Sequence, residues 1–197
     1  MKESEKKSEF LKTQEVYVWG LVPRKFRYEL TYKQELLKHT WESQKGLFMY
    51  GDVGTGKSTF LHNFYFDKCL KILIDYEALD HADIKKDNQI IYFSSFVISL
   101  QTNFDTAEQR INTLAEVKNL YIDDLGAEKC TDYVKQMLYT LINQREMNCL
   151  NTYIASNLSL DQIDKYYDPR ISSRIAGMCE IVKFTGGDKR LKGKHGS

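Results

Sequence analysis

Short apolar runs alternate with helical patterns along this chain. Strand-like runs occupy residues 47–50, 90–93, 120–122, 152–155 and 181–184, and such short continuous runs are typical of strands buried on both faces of a sheet. Helical patterns occupy residues 31–43, 58–66, 95–103, 131–147, 160–166 and 169–178. Because strands alternate with helices, the sequence predicts an α/β fold in which helices cover both faces of a parallel sheet. Residues 67–89 mix polar and apolar positions, and an additional helix or strand is equally compatible with them.

Composition narrows the class of protein. The chain has 197 residues, of which 42% are hydrophobic and 28% charged, as expected for one soluble folded domain. Its net charge of +1 excludes a polycation, so any nucleic-acid binding requires a local patch or an assembled ring. No apolar run reaches about 18 residues and the charged start lacks a signal-peptide centre, so we expect a cytoplasmic protein without membrane contact. We divide the chain into a flexible leader (1–20), one folded domain (21–190) and a basic tail (191–197).

A phosphate-binding motif follows the first predicted strand. Residues 51–58, GDVGTGKS, match GxxxxGK[ST] at every fixed position. Glycines let the backbone N–H groups approach phosphate oxygens, the lysine reaches the terminal phosphates and the serine hydroxyl binds Mg²⁺. A chance glycine-rich turn is the alternative, but the strand before the motif and the helix after it favour a site for ATP or ADP with Mg²⁺. The predicted nucleotide contacts are Gly51, Val53, Gly54, Thr55, Gly56, Lys57, Ser58 and Thr59.

Polar side chains end the two strands that follow. We expect Asp123 to hold Mg²⁺ through water, with the Ser58 hydroxyl as a ligand, and Asp124 to orient or deprotonate the attacking water. The alternative for this Asp-Asp pair is a turn that Gly126 continues. Asn157 ends the next strand, where its amide can lie between the γ-phosphate and water, although it could also be a helix N-cap or a turn residue. The four cysteines and four histidines show no zinc-ligand spacing, so the expected metal is the Mg²⁺ that accompanies the nucleotide.

Four segments together resemble one branch of the AAA+ ATPases. GDVGTGKST, LYIDDLGAEK, ASNLSL and DPRISSRIAGMCEIVKFTGGDKR occur in the order and spacing of the DnaC/DnaI-type helicase loaders, a branch that includes the IstB-like ATPases. The resemblance implies an AAA+ type P-loop fold, with residues 21–26 beside the adenine. It also implies that Arg170 is an arginine finger for a neighbouring subunit's γ-phosphate and that Arg190 is a sensor-2 residue on the nucleotide. The alternative for Arg170 is a solvent-facing helix residue.

The resemblance implies an ATPase that acts in DNA replication. We expect ATP hydrolysis that is weak without oligomerisation or DNA, a homo-oligomer in the ATP state, and contacts with single-stranded DNA and a replicative helicase. Asp124 stands where most AAA+ proteins have glutamate, and its shorter side chain predicts slow turnover. Two alternatives share the same motifs: an IstB-like helper of a transposase, and a nucleotide-switched partner-binding protein with little hydrolysis.

Overall fold

A five-stranded parallel sheet lies between layers of helices. The computed structural model describes residues 45–75 and 81–188. The strands are β1 (Gly46–Tyr50), β2 (Asn88–Tyr92), β3 (Asn119–Leu125), β4 (Asn151–Ser156) and β5 (Cys179–Lys183). The helices are α1 (Lys57–Asp75), α2 (His81–Asp87), α3 (Phe93–Thr102), α4 (Phe104–Glu116), α5 (Asp132–Met147), α6 (Leu160–Tyr166) and α7 (Pro169–Met178). None of the helices in these ranges is both long and apolar enough to cross a bilayer.

The strand order decides which loops meet. The order is β2-β3-β4-β1-β5 and all neighbouring pairs are parallel, so the five carboxyl ends share one edge of the sheet. β4 lies between β1 and β3, and the segments that leave these three strands therefore emerge side by side. In open α/β sheets this edge is where ligands bind.

Both faces of the sheet are buried because neighbouring strand residues point to opposite sides. In β1, Phe48 belongs to one hydrophobic cluster, which α3 to α7 complete, whereas Leu47 and Met49 belong to a second one under α1 and α2. The second cluster is aromatic at its centre, where Tyr121 and Tyr153 stack with ring centroids 4.8 Å apart. The prediction of a sheet covered on both faces is confirmed.

Several predicted elements match the structure closely, and others differ for identifiable reasons. Helices at 160–166 and 169–178 have the predicted bounds, and α5 begins one residue after Thr131, which caps it. The predicted strand 90–93 is displaced, since Phe93 already belongs to α3 and the strand begins at Asn88. Helix α4 was not predicted because small residues such as Ala107 and Ala115 provide part of its buried face. The helix predicted at 31–43, the leader and the tail lie outside the described residues.

An asparagine ladder explains the early start of β2. Asn88, Asn119 and Asn151 are opposite one another at the amino ends of β2, β3 and β4. Asn119 Nδ2 donates to Asn88 Oδ1 at 3.0 Å, and Asn151 Nδ2 donates to Asn119 Oδ1 at 3.1 Å. These side-chain bonds extend each strand by polar residues that an apolar pattern does not predict.

A fully buried arginine on α5 connects the end of α4 to the amino end of β4. Arg145, at the end of α5, has 0% exposure and donates to the carbonyls of Leu114, Val117 and Asn151 at 2.6–2.8 Å. Its Nε also donates to Thr152 Oγ1 at 2.9 Å. Burial lowers the pKa of this guanidinium to about 10, so the group stays charged at neutral pH. Arg145 therefore satisfies carbonyls of two segments, the end of α4 and the start of β4.

Replacing this arginine by methionine tests that role. We expect Arg145→Met to lower the free energy of unfolding by at least about 3 kcal/mol, because each buried acceptor left without a donor costs about 1–3 kcal/mol. The measurement is urea denaturation followed by circular dichroism. Lys118→Ala is the control, since its ion pair with Asp87 is exposed and is expected to contribute at most about 1 kcal/mol. Equal losses in the two variants would contradict a structural role for Arg145.

Candidate functional site

The loop that follows β1 has a backbone that only glycine adopts easily. Gly51, Gly54 and Gly56 have φ angles of 144°, 80° and 95°. A Cβ on Gly51 would lie 2.1 Å from the carbonyl oxygen of Phe184, whose N–H donates to Tyr50 O at 2.7 Å. The segment after β5 therefore closes against the loop, and residues 51–56 turn directly into α1.

Lys57 lies beneath this loop with its ammonium turned inward. The side chain is buried, and Nζ donates to the carbonyl oxygens of Gly51 and Asp52, both at 2.8 Å. Thr55 Oγ1 donates to the same Asp52 oxygen at 2.8 Å. The ammonium and the amino end of α1 place positive charge inside a concave backbone turn, an arrangement suited to an anion.

A direct hydrogen bond joins the start of α1 to the tip of β3. Ser58 Oγ donates to Asp123 Oδ1 at 2.8 Å, although the two residues are 65 positions apart in sequence. Asp123 is 1% exposed, and its Oδ1 also accepts from the Asp124 N–H at 3.0 Å. The predicted pair of magnesium ligands is thus brought together, with its oxygen atoms in contact.

A β-bulge separates the roles of the two aspartates. Ile122 pairs with Ile154 and Leu125 with Ser156, so two residues of β3 face one residue of β4. Asp124 takes the left-handed conformation with φ 56° and is exposed, whereas Asp123 is buried against α1. Adjacent carboxylates consequently point into different surroundings, one fixed inside the protein and one open to solvent.

The Tyr92 hydroxyl lies near both aspartates. Tyr92 ends β2 and lies opposite Asp123 in the sheet. Burial, and then the nearby Asp123 and Asp124 carboxylates, raise the pKa of its hydroxyl to about 12. The carboxylates therefore place negative charge at the ends of β2 and β3, close to the loop after β1 and the Lys57 ammonium beneath it.

Asn157 follows β4 directly and is exposed. Because β4 separates β1 from β3, this asparagine leaves the sheet between the glycine loop and Asp123. The N-cap of α6 is Ser159, which forms a capping box with Gln162. The interpretation of Asn157 as that helix cap is therefore wrong, and its polar side chain is not used to begin α6.

A buried glutamate that the sequence did not single out organises the turn after β3. Glu128 Oε2 accepts from the N–H of Gly126 at 3.2 Å, and its Oε1 accepts from the Tyr167 hydroxyl. Tyr166 Oη donates to the Glu128 carbonyl at 2.6 Å. Burial, and then the bond to Glu128, raise the pKa of Tyr167. The turn behind Asp124 is thereby fastened to the end of α6.

Arg170 lies in the first turn of α7, where its side chain contacts Asp168 and Tyr139 and not the glycine loop. Its guanidinium donates two bonds of 2.9 Å to Asp168 and lies 4.5 Å from the ring centre of Tyr139 on α5. Arg174 approaches the same ring at 4.9 Å. The hydrogen bond from Arg170 holds the pKa of Asp168 down at about 2. Arg170 is still 62% exposed and remains accessible from outside the protomer.

The structure thus gathers the residues of the glycine loop, Lys57, Ser58 and Asp123, with Asp124 and Asn157 on the adjoining strand ends. It does not bring Arg170 into the contacts of that group, and Arg190 and residues 21–26 lie outside the described residues. Two neighbours were missed by sequence reasoning. His62 contacts Asp123 Oδ2 at 3.2 Å, and a Cβ on Gly54 would lie 2.0 Å from Asp188 Oδ1. The sequence signal for His62 was a polar residue directly after the apolar pair Phe60 and Leu61 of α1.

The chemistry of the gathered groups fits a nucleotide with its metal. Mg²⁺ prefers oxygen ligands and is usually bound by one or two side chains together with substrate phosphates. Ser58 Oγ and Asp123 Oδ1, 2.8 Å apart beside Lys57, are such a pair.

Known proteins share this architecture. No protein-family model matches the chain. In sequence it is 28% identical over 159 residues to the replicative helicase loader DnaI of Bacillus subtilis (strain 168), an alignment covering 77% of this chain and 47% of that protein. A crystal structure of DnaI superimposes with a TM-score of 0.66 at 19% identity, covering 85% of this chain and 94% of that one. Replication initiator DnaA bound to AMPPCP and single-stranded DNA gives 0.58 at 20% identity, covering 82% and 47%.

These likenesses confirm two predictions. The chain has the AAA+ type P-loop fold, and its resemblance to the DnaC/DnaI-type helicase loader branch is borne out in sequence and in structure. The chain spans about half the length of the curated relatives it matches.

A matched pair of glycine substitutions tests the loop conformation. We expect Gly54→Ala to lower the free energy of unfolding by at least about 1–2 kcal/mol, because a Cβ is strained at this φ and meets Asp188, including its backbone. Gly187→Ala, four positions after β5, is the control: its Cβ meets nothing within 4 Å, and the expected change stays within about 0.5 kcal/mol. Chemical denaturation in nucleotide-free buffer measures both. An unaffected Gly54→Ala protein would show that the loop has another conformation.

Proposed function

We propose that this chain binds and hydrolyses ATP as an AAA+ domain of helicase-loader type, acting with single-stranded DNA and a replicative helicase. The observation that carries the proposal is the Ser58–Asp123 hydrogen bond at 2.8 Å, beside the buried ammonium of Lys57. It brings an alcohol, a carboxylate and a cation together where parallel strands end. Similarity to a replicative helicase loader supports the choice of this branch among P-loop proteins.

Nucleotide binding follows from the electrostatics of the glycine loop. Lys57 now donates to Gly51 O and Asp52 O, so it is already positioned without extending into solvent. A triphosphate offers stronger, charge-assisted acceptors than these carbonyls, and backbone N–H groups of residues 53–59 would share the same oxygens. Arg190 is assigned to the nucleotide by the family resemblance alone.

Magnesium would be held by Ser58 and Asp123, and the Asp124 N–H already helps to fix the orientation of the Asp123 carboxylate. When bound, the ion neutralises charge on the terminal phosphates. Asp123 is buried and anchored, which suits a ligand, whereas exposed Asp124 has access to water and suits a group that orients or deprotonates it. Asn157, leaving β4 between these aspartates and the glycine loop, is assigned to sensing the γ-phosphate.

Arg170 is the candidate for completing the site of a neighbouring subunit. Its guanidinium is exposed, donates two hydrogen bonds to Asp168 and packs against the ring of Tyr139. These contacts hold its N–H groups in a fixed orientation. A γ-phosphate would compete with the Asp168 carboxylate for those donors. This arrangement requires a homo-oligomer in the ATP state, which is part of the proposal.

The partner assignment rests on the relatives. DnaI is named as a replicative helicase loader, and the DnaA neighbour carries AMPPCP and single-stranded DNA. A transposase helper and a switch with little hydrolysis remain the competing functions. ATPase activity stimulated by single-stranded DNA contradicts the switch, and binding to a purified hexameric helicase but not to a purified transposase separates loader from helper.

Removing the lysine tests nucleotide binding and assembly together. We expect Lys57→Ala to weaken Mg-ADP binding by at least about 100-fold in calorimetry, because each lost charge-assisted hydrogen bond costs about 1.5–3 kcal/mol. Mass photometry should show wild-type oligomers with a non-hydrolysable ATP analogue and single-stranded DNA, and only monomers for the variant. Lys71→Ala, an exposed lysine on the same helix, is the control and should behave as wild type. Wild-type protein that binds no Mg-ADP would contradict the proposal.

A mixing experiment tests whether Arg170 acts between subunits. Arg170→Ala should keep wild-type affinity for Mg-ADP and lose ATP hydrolysis by a factor on the order of 10³, since a finger acts on the transferring phosphoryl group. Arg170→Ala keeps an intact nucleotide site, and Lys57→Ala keeps an intact finger. Mixing the two inactive proteins should therefore restore part of the activity. Normal hydrolysis by Arg170→Ala alone would show the finger assignment to be wrong.

A further inference from the structure

His62 is a buried polar residue at the centre of the site that no predicted role accounts for. It lies on α1, five residues after Lys57, and is 0% exposed among apolar neighbours on that helix such as Leu61 and Phe64. Its Nε2 lies 3.2 Å from Asp123 Oδ2, and its ring is centred 5.4 Å from that of Tyr92. An imidazole is costly to bury unless its polar atoms are used, so this contact requires an explanation.

The contact completes the fixation of the Asp123 carboxylate. Oδ1 accepts from Ser58 Oγ and from the Asp124 N–H, whereas Oδ2 faces His62. An ionised carboxylate only accepts hydrogen bonds, so the imidazole supplies the proton and the hydrogen resides on Nε2. Three donors, two on Oδ1 and one on Oδ2, therefore set the rotation of this side chain.

The donors on the two carboxylate oxygens are not equivalent with respect to Mg²⁺. Ser58 Oγ and Asp123 Oδ1, the pair assigned to the ion, contact each other directly. The bond from His62 uses the other carboxylate oxygen and leaves Oδ1 available to the ion. Outer partners of metal-binding carboxylates act in this way by holding the ligand in orientation.

We propose that His62 is a positioning residue that holds Asp123 with Oδ1 directed toward Ser58 and so increases the affinity for magnesium-bound nucleotide. The inference rests on the proposed function, because it requires Asp123 to be a magnesium ligand. It predicts that His62 affects the Mg²⁺-dependent part of nucleotide binding and leaves the part due to the glycine loop unchanged.

The alternative is that His62 only fills space beneath Tyr92. A space-filling role predicts a loss of stability with no selective effect on Mg²⁺. The two roles are separated by measuring ADP affinity in calorimetry with Mg²⁺ and with EDTA, and taking the ratio of the two dissociation constants as the Mg²⁺-dependent gain.

Two amide substitutions differ only in the reach of their donor. The amide nitrogen of His62→Gln can reach the place of Nε2, whereas that of His62→Asn stops near the place of Nδ1 and falls short of Asp123. We expect His62→Gln to retain most of the Mg²⁺-dependent gain and His62→Asn to lose it by about 10–100-fold, with affinities in EDTA within about 2-fold of wild type. Cys69→Ala is the control for a buried change on the same helix, seven residues on, and should keep the full gain while losing thermal stability.

Each outcome bears on the proposal separately from the function. If His62→Asn keeps the wild-type gain, or loses affinity equally in Mg²⁺ and EDTA, the positioning role is refuted and the ATPase proposal stands. If wild-type protein shows no Mg²⁺-dependent gain, the proposed function fails and this inference with it. Should His62→Asn not fold, His62→Gln decides the matter, since a loss of the gain in that variant refutes the assignment of Nε2 as the donor.

Discussion

The hydrogen bond between Ser58 and Asp123 is the contact through which the candidate site is assembled. It links the helix that begins after β1 to the end of β3, two strands that do not touch because β4 lies between them. Lys57 is placed by the same turn, and the bulge in β3 follows immediately on the other side. Ser58, Asp123, Asp124 and Asn157 are therefore all positioned by segments that leave the carboxyl ends of three adjacent strands.

That assembly requires a sheet whose faces are both rigidly packed. One cluster of apolar side chains fills the space under α3 to α7, and an aromatic one fills the space under α1 and α2. At the opposite edge, the asparagine ladder and Arg145 satisfy polar groups that close packing removes from water. Among the described residues two non-glycines have a positive φ: Asp124 lies at the carboxyl edge of the sheet beside the loop glycines, and Cys149 lies at the opposite edge.

A second set of contacts connects this edge to Arg170. Glu128 accepts a hydrogen bond from Tyr167 at the end of α6, and the next residue, Asp168, caps α7 and pairs with Arg170. The turn behind Asp124 and the exposed arginine are thus linked through adjacent residues of the α6–α7 connection.

The sequence by itself determined the class of fold and the linear motifs. Apolar runs indicate buried strands, and the spacing of glycine, lysine and serine indicates a backbone turn. Both can be predicted because they depend on residues that are close in the chain. The pairing of Ser58 with Asp123 could be inferred only from a motif. The orientation of Asp124, the burial of Glu128 and the contact of His62 were decided by tertiary structure. The first depends on a one-residue bulge, the second on contact with Tyr167, 39 positions along the chain, and the third on the packing of α1 against β3, which brings together side chains 61 positions apart. No local pattern encodes such distances, since register and packing are properties of the whole sheet.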